Sequence, residues 1–270
     1  GQWALRGENF KSSGPDVPLD FPIHVARGHV QFLELDQWSG VSSGDNSNKG
    51  EDRSILTHVL SKLLNSGYKV TLTGGSDFNC LSAQIGDVRT YALIKNSFSY
   101  SSFLEAIKNG RTVITNHPGD WMNIKINGHE LGSETKIKAG ESVRLEIESN
   151  LQYDNEIEII ANGKILKTIE VGSGKQTTKL NLALDSSTWI MGRTKFVLTS
   201  PTYVIVDGKP IRASTKDACY LVRYVDYLID RVETDSIDLG KDKKATLVAY
   251  AEARKEFMKR FKEAGGVECT

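Results

Sequence analysis

The residues of this chain best placed to do chemistry lie in Thr73-Gly74-Gly75-Ser76-Asp77-Phe78-Asn79-Cys80. An aspartate just beyond an apolar strand, on a glycine-loosened turn, stands where parallel α/β sheets and barrels hold their ligands, at the carboxyl ends of the strands. Asp77 is the leading candidate, because a carboxylate there can ligate a divalent cation or orient a metal-bound water. The pattern also allows a purely local role, in which Asp77 caps the next turn and Ser76 bonds within it. His117, before Pro118 at the end of another strand, can face the same cleft or stand solvated in a linker. Cys80 has no adjacent histidine or basic neighbour to lower its pKa, so it reads as a buried, inert cysteine rather than a nucleophile.

The remaining chemical signals read as structure. His24, His29, His58, His117 and His129 form no HxH, HExxH or HxxxH pair, and His129 follows a turn that exposes it. Gly172-Ser173-Gly174-Lys175 lacks the upstream glycine and the following Ser/Thr of a phosphate loop and reads as a hairpin turn between two strands. Trp121 and Trp189 could offer a sugar-stacking platform, although core packing is the commoner fate of tryptophan in a small all-β domain.

The elements that must position these residues fall into three zones. In residues 1–116 strand and helix alternate: Val30 to Leu35, a helix from Asp52 to Asn65, Lys69 to Thr73, Arg89 to Ile94, a helix near Ser102 to Lys108, and Thr112 to Thr115. The helix from Asp52 repeats Ile55, Leu56, Val59, Leu60, Leu63 and Leu64 at helical spacing and ends at Asn65-Ser66-Gly67. Strand, helix and strand in that order predict parallel pairing with crossovers. Residues 117–210 change to period two, with strands Met122–Ile126, Val143–Ile147, Ile157–Ile160, Ile165–Ile169, Leu180–Leu184 and Tyr203–Val206. Asn127-Gly128, Asn162-Gly163 and Asp207-Gly208 supply tight hairpin turns, and the zone reads as an immunoglobulin-like β-sandwich. Residues 211–270 read as helical, the first helix capped at Ser214 or Thr215 and the second running from about Lys243 to Glu263.

Composition sets the outer limits. The 270 residues hold 34 Lys+Arg against 34 Asp+Glu, a net charge of zero that argues against a nucleic-acid partner. No apolar run approaches the roughly 20 residues of a bilayer crossing, so no membrane partner is expected. Cys80, Cys219 and Cys269 are too few and too scattered for a disulfide scaffold and offer no CxxC metal pair. Gly1-Gln2-Trp3 opens no secretory leader, which leaves bacterial cytoplasm or export after leader removal.

Against this background the sequence resembles the carbaryl-hydrolase-like branch of the polymerase and histidinol phosphatase (PHP) superfamily of metal-dependent hydrolases. The resemblance runs through Phe21-Pro22-Ile23-His24-Val25-Ala26-Arg27-Gly28-His29-Val30, then Leu63-Leu64-Asn65-Ser66-Gly67-Tyr68 followed by Gly75-Ser76-Asp77-Phe78. It continues with Gly86 and Arg89-Thr90-Tyr91, Gly110-Arg111-Thr112 with Thr115-Asn116, and Thr199-Ser200-Pro201-Thr202-Tyr203-Val204 with Asp207-Gly208-Lys209-Pro210-Ile211. It implies an α/β plus all-β fold: a partial PHP-type (β/α) barrel half, an immunoglobulin-like β-sandwich, and C-terminal helices. It also implies Zn, Mn or Fe as cofactor and Asp77 as a late ligand or water-orienting carboxylate. Asn79 stands where many family members have a histidine and would be a weak neutral ligand. The family's early His-x-His pair and its later Glu and His ligands have no counterpart here, so the resemblance implies a C-terminal portion lacking its N-terminal half, or a chain that has lost catalysis.

Two functions follow. One is a portion of a hydrolase of esters, carbamates or phosphoesters, with a small-molecule substrate and no activity as an isolated chain. The other is a non-catalytic ligand- or protein-binding module built on the sandwich. A half barrel would leave apolar strand edges uncovered, so a homo-oligomer or a partly open sheet is expected.

Overall fold

A computed structural model describes residues 20–35, 59–76, 78, 84–95, 97–234 and 239–269. The chain divides into two compact units, one formed by residues 1–30, 56–68 and 212–270, the other by residues 31–55 and 69–211. The described residues mix helices with several antiparallel sheets, form a sandwich of two sheets, and contain no closed barrel. No helix among them is long and apolar enough to cross a membrane.

The first unit is helical: α1 (Phe21–Ala26), α2 (Val59–Asn65), α4 (Thr215–Glu233) and α5 (Lys243–Glu263). The helix expected from Asp52 is described from Val59 onward, with its earlier part, His58 included, outside the described residues. Ser214 caps α4 by accepting the Asp217 N–H at 3.1 Å. Leu221, Val222, Val225, Leu228 and Val232 are buried along one stripe of α4 and face the apolar stripe of α2, Val59, Leu60, Leu63 and Leu64. The end of α2 is a polar hub: the Ser66 carbonyl accepts Arg212 Nη1 at 3.0 Å and Arg260 Nη1 at 2.8 Å, and Asn65 Nδ2 donates to Asp217 Oδ2 at 2.7 Å. Tyr68 meets Phe257 edge to face and lies 3.7 Å beneath the Arg260 guanidinium. A disulfide joins Cys219 to Cys269 across 50 residues, a pairing the sequence alone did not indicate because the two cysteines meet only when α4 and the end of the chain are packed together.

The second unit begins with β1 (Phe32–Leu35), paired in parallel to β2 (Thr71–Gly74). It continues through β3 (Arg89–Ala92), α3 (Tyr100–Lys108) and β4 (Thr112–Thr115). The sandwich strands follow: β5 (Trp121–Ile126), β6 (Glu134–Ile137), β7 (Ser142–Leu151), β8 (Asn155–Ala161), β9 (Lys164–Val171), β10 (Gly174–Ala183), β11 (Thr188–Arg193), β12 (Val197–Thr199) and β13 (Thr202–Val206). One sheet runs β10-β7-β5; the other runs β3-β4-β12-β11-β13-β6 and carries β8 and β9 beside β11. Met122, Ile124, Val143, Leu145, Ile147, Ile157, Ile159, Ile190 and Val204 fill the space between them. Gly192 is there for want of room, since a Cβ would lie 2.7 Å from Ile124 Cδ1 and from Met122 Cε.

Three local expectations are corrected. β3 and β4 pair antiparallel, with Ala92 opposite Thr112, not in parallel across α3. The end of β3 therefore lies beside the start of β4, and α3 lies in the connection between them. Gly172-Ser173-Gly174-Lys175 is not a hairpin: β9 pairs with β8 and β10 with β7, and the turn passes the chain from one sheet to the other. Asp207-Gly208 ends β13 instead of joining a hairpin, although Asp207 has the expected positive φ of 52°. The period-two reading also missed β6, β11 and β12; β11 and β12 are buried on both faces and so show no alternation.

The constraint that positions the front of this unit is on β2. One edge of β2 bonds to β1, including Thr71 N–H to Gln31 O at 2.9 Å and Gly75 N–H to Leu35 O at 3.0 Å. The other edge is satisfied by hydroxyls. Leu72 donates its N–H to Ser200 Oγ at 2.9 Å and accepts Thr112 Oγ1 at 2.6 Å. Gly74 donates to Thr90 Oγ1 at 2.7 Å and accepts from it at 2.9 Å, and Tyr203 bonds to the Val70 backbone. Leaving a buried backbone group without a partner costs about 1–3 kcal/mol. Ser200→Ala is expected to cost that much and to speed amide exchange at Leu72, measured by hydrogen-exchange NMR; an unchanged Leu72 amide would contradict the assignment. Cys219→Ser is expected to cost about 2–4 kcal/mol, the loop-closure scale for such a span, as a lowered denaturant midpoint monitored by helical circular dichroism.

Candidate functional site

Leu72 and Gly74 stand beside Thr112 and Ile114, so β2 and β4 run side by side in the same direction, and β1 runs parallel to β2. Three strands thus point their carboxyl ends the same way, the arrangement in which open α/β sheets gather ligands. Asp77 follows immediately on β2, and His117 on β4. Asp77, Asn79 and Cys80 lie outside the described residues, so the geometry of this end is read from their neighbours.

Gly74 and Gly75 do not loosen the turn, as the sequence suggested; they let neighbours touch the backbone. A Cβ on Gly74 would sit 2.6 Å from Ile114 Cγ2 and 2.8 Å from Val88 Cγ1, and one on Gly75 would sit 2.1 Å from Glu34 Oε1. Ser76 fastens the next residue: its Oγ accepts the N–H groups of Gly86 at 2.8 Å and Val88 at 3.3 Å and donates to Val88 O at 3.2 Å. The residue preceding Asp77 is therefore held by the segment from Gly86 to Val88. Glu34 is the acid that sequence reasoning missed. Its signal was present, since it stands next to last in the apolar run Phe32-Leu33-Glu34-Leu35 and falls under the same strand-end rule that selected Asp77. Arg89, opposite Thr115 in the β3–β4 ladder, packs its guanidinium over Gly86 at this end.

His117 leaves β4 into a tight, well-bonded turn. Its ring stacks on Phe196 at 5.0 Å and lies 5.7 Å from Tyr153. Its Nδ1 is 3.2 Å from Oδ2 of Asp120, a buried carboxylate whose Oδ1 accepts the Gln152 N–H at 2.9 Å. The sequence drew attention to His117 but not to Asp120, three residues on, which the turn folds back beneath it.

The other candidates are placed as follows. His24 and His29 approach each other at 5.9 Å between ring centroids in the helical unit. His129 is exposed. Trp189 is fully buried and offers no stacking face, while Trp121 is half-buried. Among the described residues no three His, Cys, Asp or Glu side chains converge as a cation site.

No protein-family model matches the chain, and no curated protein sequence matches it.

The packing around the two glycines separates their substitutions. Gly74→Ala presses on the branched side chains of Ile114 in β4 and Val88 just before β3 and is expected to cost about 1–3 kcal/mol. Gly75→Ala meets only the end of Glu34, which can rotate away, and should cost less; adding Glu34→Ala should remove most of what remains. Denaturant melts of the three variants check this order, and a Gly75→Ala variant as unstable as Gly74→Ala would contradict it.

Proposed function

We propose that the chain serves as a portion of a PHP-like metal-dependent hydrolase acting on an ester, carbamate or phosphoester, and that it does not turn over substrate by itself. The observation that carries this reading is the shared direction of β1, β2 and β4, with Gly74-Gly75-Ser76 pinned immediately before Asp77. In this reading the strands and helix of residues 31–116 correspond to part of a (β/α) barrel, and the two-sheet sandwich corresponds to an immunoglobulin-like domain. The ordered run of family-like segments from Phe21 to Ile211 supports it.

The described residues do not complete a cation site, since a divalent ion asks for several convergent ligands and no three are found together among them. The chain's own contribution would then be positional. Asp77 comes next in sequence after Gly74 and Ser76, whose positions are fixed by Thr90 and by the backbone of Gly86 and Val88. Glu34 would add a second carboxylate at the same strand ends, and Arg89 a fixed positive charge. Asn79 and His117 remain the further candidates for direct ligation.

A second reading, a non-catalytic binding module, is favoured by one feature of the sandwich. Among the described residues β9 pairs only with β8, and it exposes Ile165 and Leu166 by 53% and 47%, which suits strand addition by a partner.

Elemental analysis distinguishes the two. The purified chain is expected to hold no stoichiometric Zn, Mn or Fe and to leave chromogenic phosphoesters and carboxyl esters intact. The complete product of its gene is expected to hold metal, and Asp77→Ala there should lower metal retention or turnover by about 10–100-fold. A metal-free complete product would overturn the hydrolase reading. A chain that is metal-loaded and active alone would overturn the claim that it is insufficient.

A further inference from the structure

The net charge of zero conceals a one-sided helix. α5 carries Glu252, Glu256 and Glu263, and each is paired to an arginine of the same unit: Glu252 with Arg27 at 3.2 Å, Glu256 with Arg260 at 3.0 Å, Glu263 with Arg212 at 2.9 Å. The lysines are not treated alike. Lys244, Lys255, Lys259 and Lys262 form no ion pair with any described carboxylate, and Lys244, Lys255, Lys259 and Lys262 are all exposed. At 100° per residue these four lysines share a sector of about 120° with Leu247, Val248, Ala251 and Met258. No acid falls inside that sector. Val248 is 53% exposed, and two shallow open troughs lie along this side of the helix, one with Lys244, Leu247, Val248 and Ala251 in its lining, the next with Lys255, Met258, Lys259 and Lys262 and, at its border, Glu263, which is paired to Arg212.

An ordinary solvated helix face would mix signs and keep large apolar side chains few. Here lysines outside any ion pair, exposed Val248 and half-buried Leu247 and Met258 occupy one strip bordered by Glu252 and Glu263, while the opposite side of α5 is buried through Tyr250, Ala253, Phe257 and Phe261. The surface that complements such a strip is anionic and apolar at once and nearly flat. We propose that the outer face of α5 adsorbs to an anionic phospholipid surface, the lysines meeting headgroups while Leu247, Val248 and Met258 enter the boundary with the acyl chains. Lys244 to Lys262 spans about 27 Å of helix, a length that a continuous anionic surface meets at once. The contact is peripheral, and each lysine near an anionic surface strengthens it about fivefold.

Sedimentation of the purified chain with vesicles tests this. Binding is expected to vesicles with about 30 mole per cent phosphatidylserine in phosphatidylcholine, and not to phosphatidylcholine alone, and to weaken steeply as salt rises from about 0.1 to 0.5 M. Replacing Lys244, Lys255 and Lys262 together by Ala should weaken it about a hundredfold, while Lys175→Ala, on β10 of the other unit, should leave it unchanged. An unaltered circular dichroism spectrum confirms that the triple variant folds, and Leu247→Ser with Val248→Ser provides an independent loss through the apolar term. The proposal is overturned by failure to bind anionic vesicles at low salt, or by binding that the lysine changes do not affect. It is also overturned if soluble polyglutamate displaces the protein from vesicles at equal charge concentration, which would assign the face to an acidic protein.

Discussion

The second unit depends on how one short strand satisfies its backbone. β2 has a strand partner on one side only, yet it is buried, and a buried strand edge without partners would forfeit several hydrogen bonds that water makes freely in the unfolded chain. Thr112, Ser200, Thr90 and Tyr203 supply the missing donors and acceptors at Leu72, Gly74 and Val70. Thr112 and Ser200, 2.7 Å apart, also bond to each other, so the group polarises as a network and not as separate contacts. Because Thr112 comes from β4, Ser200 from the turn after β12, Thr90 from β3 and Tyr203 from β13, the hydroxyls tie the β1–β2 pair to the large sheet of the sandwich. Burial raises the Tyr203 hydroxyl pKa well above its usual range, which keeps the group protonated throughout ordinary conditions.

That same tie explains the carboxyl end of β2. Thr90 holds Gly74 by both its backbone groups, Ser76 is held by residues 86 to 88, and between them Gly75 passes under Glu34. The next position in the sequence comes directly after these contacts. The sequence places Asp77 there and His117 beyond the neighbouring strand, with Asp120 behind His117. The rim at this end is built from Thr, Ser and Gly, whose small size lets the strands approach.

The helical unit is organised differently. Its polar hub is the last turn of α2, where the Ser66 carbonyl accepts two arginines and Asn65 reaches Asp217. Burial of Tyr68 raises its pKa, and Arg260 above its ring opposes that rise. Arginine is suited to this double duty because a planar guanidinium can stack and donate at once. With the arginines spent on α5's own acids and on Ser66, the exposed lysines are left as the helix's outward charge.

Local rules were enough to find the chain's strong elements. Period and capping located α4 from Ser214, α5 from Lys243, and most strands of the sandwich to within a few residues; the positive φ at Asn127, Asn162 and Asp207 follows from the Asn-Gly and Asp-Gly pairs themselves. They also singled out Asp77 and His117, because a carboxylate or imidazole after an apolar strand is a local pattern. What they could not reach is non-local. β11 and β12 have no alternating face, since both their sides are buried, and only their partners identify them as strands. The antiparallel pairing of β3 with β4, the passage of the chain between sheets at Gly172, and the meeting of Cys219 with Cys269 depend on which segments pack together. Asp120 under His117, and Glu34 over Gly75, are likewise decided by tertiary structure. Sequence spacing fixes which face of an element a side chain takes, and only packing fixes what it meets there.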